Sequence, residues 1–325
     1  MKVLVSSRSF GRLCPEAVSL IEQVADVERS SLGRPLAEKD LVEILPSYEG
    51  VIVGVDEVTR RAIESSDRLK VVAKHGAGVD NIDLEAATER GVVVTYVPEA
   101  NAESVADFTF CLMLALARKL VEAHTSAKAG RWESSKFTGT EVYGKTLGIV
   151  GMGSIGARVA KRAKGFDMRV LCVTGHPEKH RREAKMYKIE FVNLPTLMKE
   201  SDIITIHCAL TPETEGIIGR EELSLMKESA LLINTARGPI VDEEALFKAL
   251  KEKRIAGAAL DVYSREPPGA DFPLFQLDNV VVAPHIASYT TDAISRVDLI
   301  QAEDLVKALR GERPKYVANP QVFKK

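Results

Sequence analysis

Thr146-Leu147-Gly148-Ile149-Val150-Gly151-Met152-Gly153-Ser154-Ile155-Gly156 runs straight into Ala157-Arg158-Val159-Ala160-Lys161-Arg162-Ala163. The apolar residues up to Val150 predict a buried strand, and the run from Ala157 predicts a helix. Gly151, Gly153 and Gly156 stand between them in GxGxxG spacing, each with its own physical task. The first allows a tight turn, the second lets backbone approach a pyrophosphate, and the third lets helix and strand pack closely. Unpaired N–H groups and a partial positive charge at the helix start favour phosphate there. A glycine loop between a strand and a helix predicts a dinucleotide site.

Around that loop, 325 residues with 45% apolar and 28% charged content give ordinary globular composition with room for two packed domains. A net charge of -2 leaves no electrostatic footprint for nucleic acid or an anionic membrane, so the expected partner is a small molecule. The longest apolar stretch, 108–117, is too short to span a bilayer, and Met1-Lys2-Val3-Leu4-Val5 enters a strand without a signal-peptide region. A cytoplasmic protein is therefore expected. Cys14, Cys111, Cys172 and Cys208 lack CxxC spacing and three lie in apolar runs, which predicts buried, reduced thiols. His176 and His180 are four apart but have no third ligand nearby, so no metal site is expected.

Upstream, strand-like runs at 2–6, 51–55, 69–73 and 92–97 alternate with helical stretches at 15–23, 38–45 and 84–90. Such alternation predicts a parallel sheet covered on both faces. A helix following Asn101 places Phe108, Leu112, Leu116 and Leu120 at helical spacing and leads into the second unit. That unit has predicted strands at 147–150, 170–174, 203–207, 231–235, 257–260 and 280–283, the doubly wound plan. A helical pattern from 292 to 310, followed by a polar tail, is expected to cross back onto the first unit. The expected fold class is thus α/β, with two doubly wound parallel-sheet domains of Rossmann-like or flavodoxin-like type. Residues 1–99 with 291–325 form a discontinuous substrate-binding domain, and 100–290 form the dinucleotide-binding domain.

Ligands of open parallel sheets bind outside the carboxyl ends of the strands, and three residues fall there. Arg237 ends Leu231-Leu232-Ile233-Asn234-Thr235-Ala236-Arg237-Gly238, Glu266 follows Leu260-Asp261-Val262-Tyr263, and His285 follows Val281-Val282-Ala283-Pro284. An arginine fork can hold a carboxylate and polarise the adjacent carbonyl, as a 2-keto acid requires. Histidine can pass a proton to or from the substrate oxygen, and a glutamate beside it fixes its orientation. His75 and His124 carry no sign beyond packing or surface roles.

With these motifs in order, the chain resembles the D-isomer-specific 2-hydroxyacid dehydrogenase family over essentially its whole length. Further signatures are His207-Cys208-Ala209-Leu210-Thr211-Pro212-Glu213-Thr214, Asp261-Val262-Tyr263-Ser264-Arg265-Glu266-Pro267 and Pro284-His285-Ile286-Ala287-Ser288. The resemblance implies that Arg237, Glu266 and His285 are catalytic, with Arg237 and His285 also touching substrate. Gly76-Ala77-Gly78-Val79-Asp80-Asn81 resembles the family's substrate loop, which makes Ala77 and Gly78 carboxylate contacts through backbone N–H groups. Implied cofactor contacts are Ser154 and Ile155 at the pyrophosphate, Thr235, Ala236 and Asp261 near the nicotinamide, and His207 and Cys208 beside the adenosine half. A homodimer is also implied, formed through the helix after Asn101 and the segment up to Trp132.

One departure bears on the cofactor. NAD-dependent members end the second strand of the cofactor domain with an acidic residue, whereas Arg169-Val170-Leu171-Cys172-Val173-Thr174-Gly175-His176 places Thr174 there. His176, Lys179, His180, Arg181 and Arg182 crowd the loop that follows, as a 2'-phosphate would favour. Thr-Gly-His also resembles the NADP-using glyoxylate and hydroxypyruvate reductase branch, so NADP is expected over NAD. The resemblance implies an oxidoreductase acting on CH–OH donors, which exchanges hydride between NAD(P)H and a small 2-keto acid such as glyoxylate or hydroxypyruvate. D-3-phosphoglycerate dehydrogenase is the alternative, with Lys74, Arg60 or Arg61 as phosphate partners. Against it, two acids stand in Gly54-Val55-Asp56-Glu57-Val58-Thr59 where that branch tends to carry basic residues, and no C-terminal regulatory domain is expected with the last residue at Lys325, although shorter members lack one too. A dinucleotide-sensing corepressor-like scaffold is the alternative from another class.

Overall fold

Val3-Leu4-Val5, Val51-Ile52-Val53 and Val71-Val72-Ala73 are apolar throughout and completely or nearly completely buried, the pattern of parallel strands covered on both faces. A computed structural model describes residues 1–324, and its contacts divide the chain into two compact units. One comprises Met1–Asn101 with Tyr289–Lys325, and the other Ala102–Ser288.

In the first unit, β1 (Lys2–Val5), β2 (Asp26–Arg29), β3 (Gly50–Val53), β4 (Val71–Lys74) and β5 (Val93–Thr95) form a wholly parallel sheet ordered β2-β1-β3-β4-β5. The strand order reverses between β1 and β3, the flavodoxin-like arrangement. The second unit holds β6 (Thr146–Val150), β7 (Arg169–Val173), β8 (Ile189–Phe191), β9 (Ile203–Ile206), β10 (Leu231–Asn234), β11 (Gly257–Leu260) and β12 (Val280–Val282). Its parallel sheet is ordered β12-β11-β10-β9-β6-β7-β8. The two-sheet α/β fold expected from the sequence is what the chain forms.

Three local expectations are corrected. Strands β2 and β8 do not stand out in the sequence pattern because both are short, charged edge strands, Asp-Val-Glu-Arg and Ile-Glu-Phe. Charges suit an edge, which must not pair with another chain, and they erase the apolar signal. The helix expected to run through Leu120 instead stops at Ala117, and a second helix, Leu120–Lys128, starts after Lys119 at φ 52°. The Ala117 carbonyl accepts the Thr140 N–H (2.8 Å), so it does not serve a continuing turn. Finally, Cys111 is exposed, because it lies on the helix Ala102–Ala117 away from the face formed by Phe110, Met113 and Leu116. Cys14 and Cys172 are buried, Cys208 is partly buried, and all four cysteines are free thiols.

The C-terminal helix Thr291–Leu309 is capped by Thr290, whose hydroxyl accepts the Ala293 N–H (3.1 Å). Ala302, Leu305, Val306, Ala308 and Leu309 pack it into the core shared with Val3, Val5, Ile52 and Val71. Beyond it the chain docks through buried polar groups. Asp304 accepts the N–H groups of Lys315 (2.8 Å) and Tyr316 (2.9 Å). Asn319 accepts the Val94 N–H (2.8 Å) and donates to the Val92 carbonyl (2.9 Å) and Thr88 Oγ1 (3.2 Å). No helix of the described residues is long and apolar enough to cross a membrane.

Replacing Asn319 with Ala leaves a buried N–H and a buried carbonyl without partners. Urea unfolding should show a loss of about 1–3 kcal/mol; an unchanged midpoint would mean that the tail adds nothing to the first unit.

Candidate active site

The glycine loop leaves β6 and enters the helix Ser154–Ala163. Gly151 has φ +102°, and a Cβ there would lie 2.4 Å from the Cys208 backbone nitrogen. A Cβ on Gly156 would lie 2.3 Å from the Gly151 carbonyl oxygen, so the helix start and the strand end touch through these two glycines. Gly153, by contrast, is exposed with nothing within 4 Å of its missing Cβ, and no side chain caps the helix. An open, uncapped helix start behind a glycine turn fits a dinucleotide pyrophosphate. Ser154 and Ile155, its first two residues, are half-buried.

Arg237, Glu266 and His285 all belong to the second unit, in the segments leaving β10, β11 and β12. His285 Nδ1 and Glu266 Oε2 are 2.6 Å apart. Burial works to raise the Glu266 carboxyl pKa. The hydrogen bond and charge of His285, the Tyr263 N–H and the charge of Arg237 outweigh it, and the pKa falls below the usual carboxylate value. Asn234 orients the Arg237 segment, its Nδ2 donating to the Arg237 carbonyl (2.9 Å) and its Oδ1 accepting the Ala236 N–H (3.0 Å). Arg237 Nη1 donates to the Ala236 carbonyl (2.8 Å). Sequence reasoning missed the part of Tyr263, whose N–H meets Glu266 Oε1 (3.1 Å) and whose hydroxyl donates to the Ala283 carbonyl (2.8 Å).

Asp261 is fully buried, and its carboxylate faces inward. One oxygen accepts the Ile286 N–H (2.8 Å) and the other the Ala287 N–H (2.9 Å), while its carbonyl accepts the His285 N–H (2.9 Å). His285 itself has φ +55°, a left-handed conformation that costs on the order of 1 kcal/mol in a non-glycine residue. The three hydrogen bonds accepted by Asp261 offset that cost. Burial raises the Asp261 pKa, opposed by the two N–H groups.

The remaining residues of the second unit surround the glycine loop or the strand ends. Thr235 is buried with its hydroxyl 3.2 Å from Thr109 Oγ1, and Ala236 is half-buried. Thr174 follows β7 directly and its Oγ1 accepts the His176 N–H (3.4 Å). His176 is exposed and its Nδ1 lies 3.3 Å from Glu178, an acid within the basic loop. Burial pushes the Cys208 thiol up to about 11, so it stays protonated. His207 is buried with Nε2 2.9 Å from Thr205 Oγ1 and with Nδ1 unpartnered among the described residues. Burial pushes its pKa down from 6.5 to about 3.

In the first unit, Ala77 is exposed and Gly78 half-buried, in the loop after β4. Lys74 is buried, its Nζ donating to the Gly54 carbonyl and to Asn81 Oδ1 (2.7 Å). Arg60 is ringed by Glu64, Asp83, Glu85 and Glu89. His75, expected only to pack, is 2.6 Å from Asp298, a pairing across 223 positions of sequence that no local pattern signals.

Because folded His207 resists protonation, its contribution to stability is complete above pH 6.5 and is lost as pH falls toward 3. Below pH 6.5 the chain should lose about 1.4 kcal/mol per pH unit more than the variant H207Q. Denaturant melts of both proteins from pH 7 to pH 4 check this, and parallel curves would show that His207 is not held neutral.

The family description "D-isomer specific 2-hydroxyacid dehydrogenase, NAD binding domain" matches residues 110–287. The D-3-phosphoglycerate dehydrogenase of Methanocaldococcus jannaschii is 43% identical over 321 residues, covering 98% of this chain and 59% of that protein. This chain therefore spans about three fifths of that relative's length. The glyoxylate reductase of Korarchaeum cryptofilum is 42% identical over 321 residues, covering 96% of each chain. Among solved structures, the TT0316 protein from Thermus thermophilus aligns with a TM-score of 0.87 at 38% identity, over 98% of this chain and 100% of that one. Two parallel-sheet units, the glycine loop and these matches place the chain in the D-isomer-specific 2-hydroxyacid dehydrogenase family.

Proposed function

We propose that the chain reduces small 2-keto acids such as glyoxylate or hydroxypyruvate to D-2-hydroxy acids, with NADPH as the preferred reductant. The observation that carries this reading is the 2.6 Å pair of His285 and Glu266 in the same electrostatic neighbourhood as Arg237. When bound, the nicotinamide supplies the hydride to the carbonyl carbon, or accepts it in reverse. His285 Nε2 then gives its proton to the carbonyl oxygen, because Nδ1 is engaged by Glu266. Glu266 orients the ring and compensates its positive charge. Arg237 binds the substrate carboxylate and polarises the carbonyl, and the backbone N–H groups of Ala77 and Gly78 are further candidate donors to that carboxylate.

Gly151, Gly153, Ser154, Ile155 and Gly156 would hold the pyrophosphate, with His207 and Cys208 beside the adenosine half. Thr235 and Ala236 would border the nicotinamide. Asp261 serves that region by fastening its loop, since its carboxylate is taken up inside the protein. Thr174 and the basic side chains at 176 and 179–182 support NADPH, although Glu178 pairs with His176 there. A homodimer fits the exposed Leu120, Val121 and Trp132 that follow the helix Ala102–Ala117.

The phosphoglycerate relative favours a second reading, D-3-phosphoglycerate dehydrogenase. Weighing against it, Lys74 is buried on Gly54 and Asn81, and Arg60 is committed to four carboxylates.

Initial rates with NADPH and NADH against glyoxylate, hydroxypyruvate and 3-phosphohydroxypyruvate test the proposal. Faster reduction of the unphosphorylated acids, with a lower KM for NADPH, is expected. Preference for the phosphorylated acid would move the chain to the second reading, preference for NADH would refute the role given to Thr174, and no turnover would favour a dinucleotide-binding scaffold.

A further inference from the structure

His75 is the residue immediately before Gly76-Ala77-Gly78, and its side chain is only 8% exposed. Its Nε2 lies 2.6 Å from Oδ1 of Asp298, which projects from the C-terminal helix and is completely buried. The second Asp298 oxygen accepts the Gly11 N–H (2.8 Å). On the other side of the ring, Nδ1 is 3.1 Å from Ser7 Oγ and 3.3 Å from Ser9 Oγ, and the Phe10 ring packs edge-on at 5.7 Å. The loop after β1, the loop after β4 and the C-terminal helix therefore meet at one imidazole.

The far end of the same loop is fixed as well. Asn81 receives Lys74 Nζ and donates to the carbonyls of Gly54 (3.2 Å) and Asp56 (2.5 Å). Between these two anchors, the backbone N–H groups of Ala77, Gly78 and Val79 meet no acceptor among the described residues. Consecutive unpaired amides on a loop held at both ends are donors available to an anion. A buried carboxylate is tolerated only where its lone pairs are used, and here His75 and Gly11 use them. A purely packing role would be met by apolar side chains of similar volume, whereas this polar pair ties three segments to the start of the amide run.

We infer that His75 and Asp298 are positioning residues that set the Ala77–Val79 amides to receive the substrate carboxylate. The inference rests on the 2-keto acid reading above and adds to it a pair of residues outside the motifs that carry that reading. Neither side chain touches the reacting atoms; they act through the loop.

The variant D298N keeps one acceptor oxygen and turns an NH2 toward a buried N–H, so it should loosen the loop. Its KM for glyoxylate should rise about tenfold, equivalent to 1.4 kcal/mol, while kcat and the KM for NADPH stay near wild type. A second variant, H75F/D298L, replaces the pair by apolar groups and guards against simple misfolding. Its melting temperature should recover relative to D298N while its glyoxylate KM stays high. Recovery of KM together with stability would show that the pair only fills space, and unchanged KM in a folded D298N would overturn the inference outright. Absence of glyoxylate turnover in the wild-type protein would instead sink the underlying reading, which keeps the two failures apart.

Discussion

A buried carboxylate at the end of β11 fixes a left-handed stretch of backbone in the second unit. Asp261 accepts the Ile286 and Ala287 N–H groups on its two oxygens and the His285 N–H on its carbonyl. Those bonds hold His285 in a left-handed conformation that a non-glycine residue would otherwise avoid. The imidazole is then presented to Glu266 through Nδ1. The same bonds fix the position from which His285 meets Glu266. The Asp261 side chain is buried and holds that loop.

The placement of everything else follows from parallel sheets. All strands of a unit point the same way, so their carboxyl ends gather at one edge and the connecting segments accumulate there. Arg237, Glu266 and His285 leave three neighbouring strands, β10, β11 and β12, and the glycine loop leaves β6 at the same edge. The first unit repeats the logic, with the loops after β1, β3 and β4 linked through Ser7, Asp56, His75 and Asn81. In each unit, hydrogen bonds from buried polar side chains determine the conformation of exposed backbone.

Much of this was legible in the residues. Short β-branched runs such as Val51-Ile52-Val53 between helical stretches favour strands buried on both faces, and the glycine loop carries its own context, so the α/β plan and the dinucleotide-type turn could be read directly. Edge strands could not, because Asp26–Arg29 and Ile189–Phe191 are charged where a partner strand is lacking. The break at Lys119 depends on Thr140 taking a helix carbonyl, a contact invisible to helical periodicity. The motif around Asp261 can be read from the sequence, whereas the hold of its carboxylate on the Ile286 and Ala287 N–H groups cannot. His75 and Asp298 are too far apart in sequence for any pattern to join them. Local periodicity reports burial, and long-range polar pairing leaves no periodic trace.

Whether the clamped imidazole is the proton donor is decided by the replacement H285Q, which retains polarity but cannot transfer a proton. Turnover of glyoxylate and the dissociation constant of NADPH, the latter from nucleotide fluorescence, should be measured on the same preparation. A fall in kcat of about 100-fold or more with an unchanged dissociation constant is expected. Wild-type turnover in H285Q would contradict the assignment, because the proton would then come from another group and the Asp261 clamp would have no catalytic purpose.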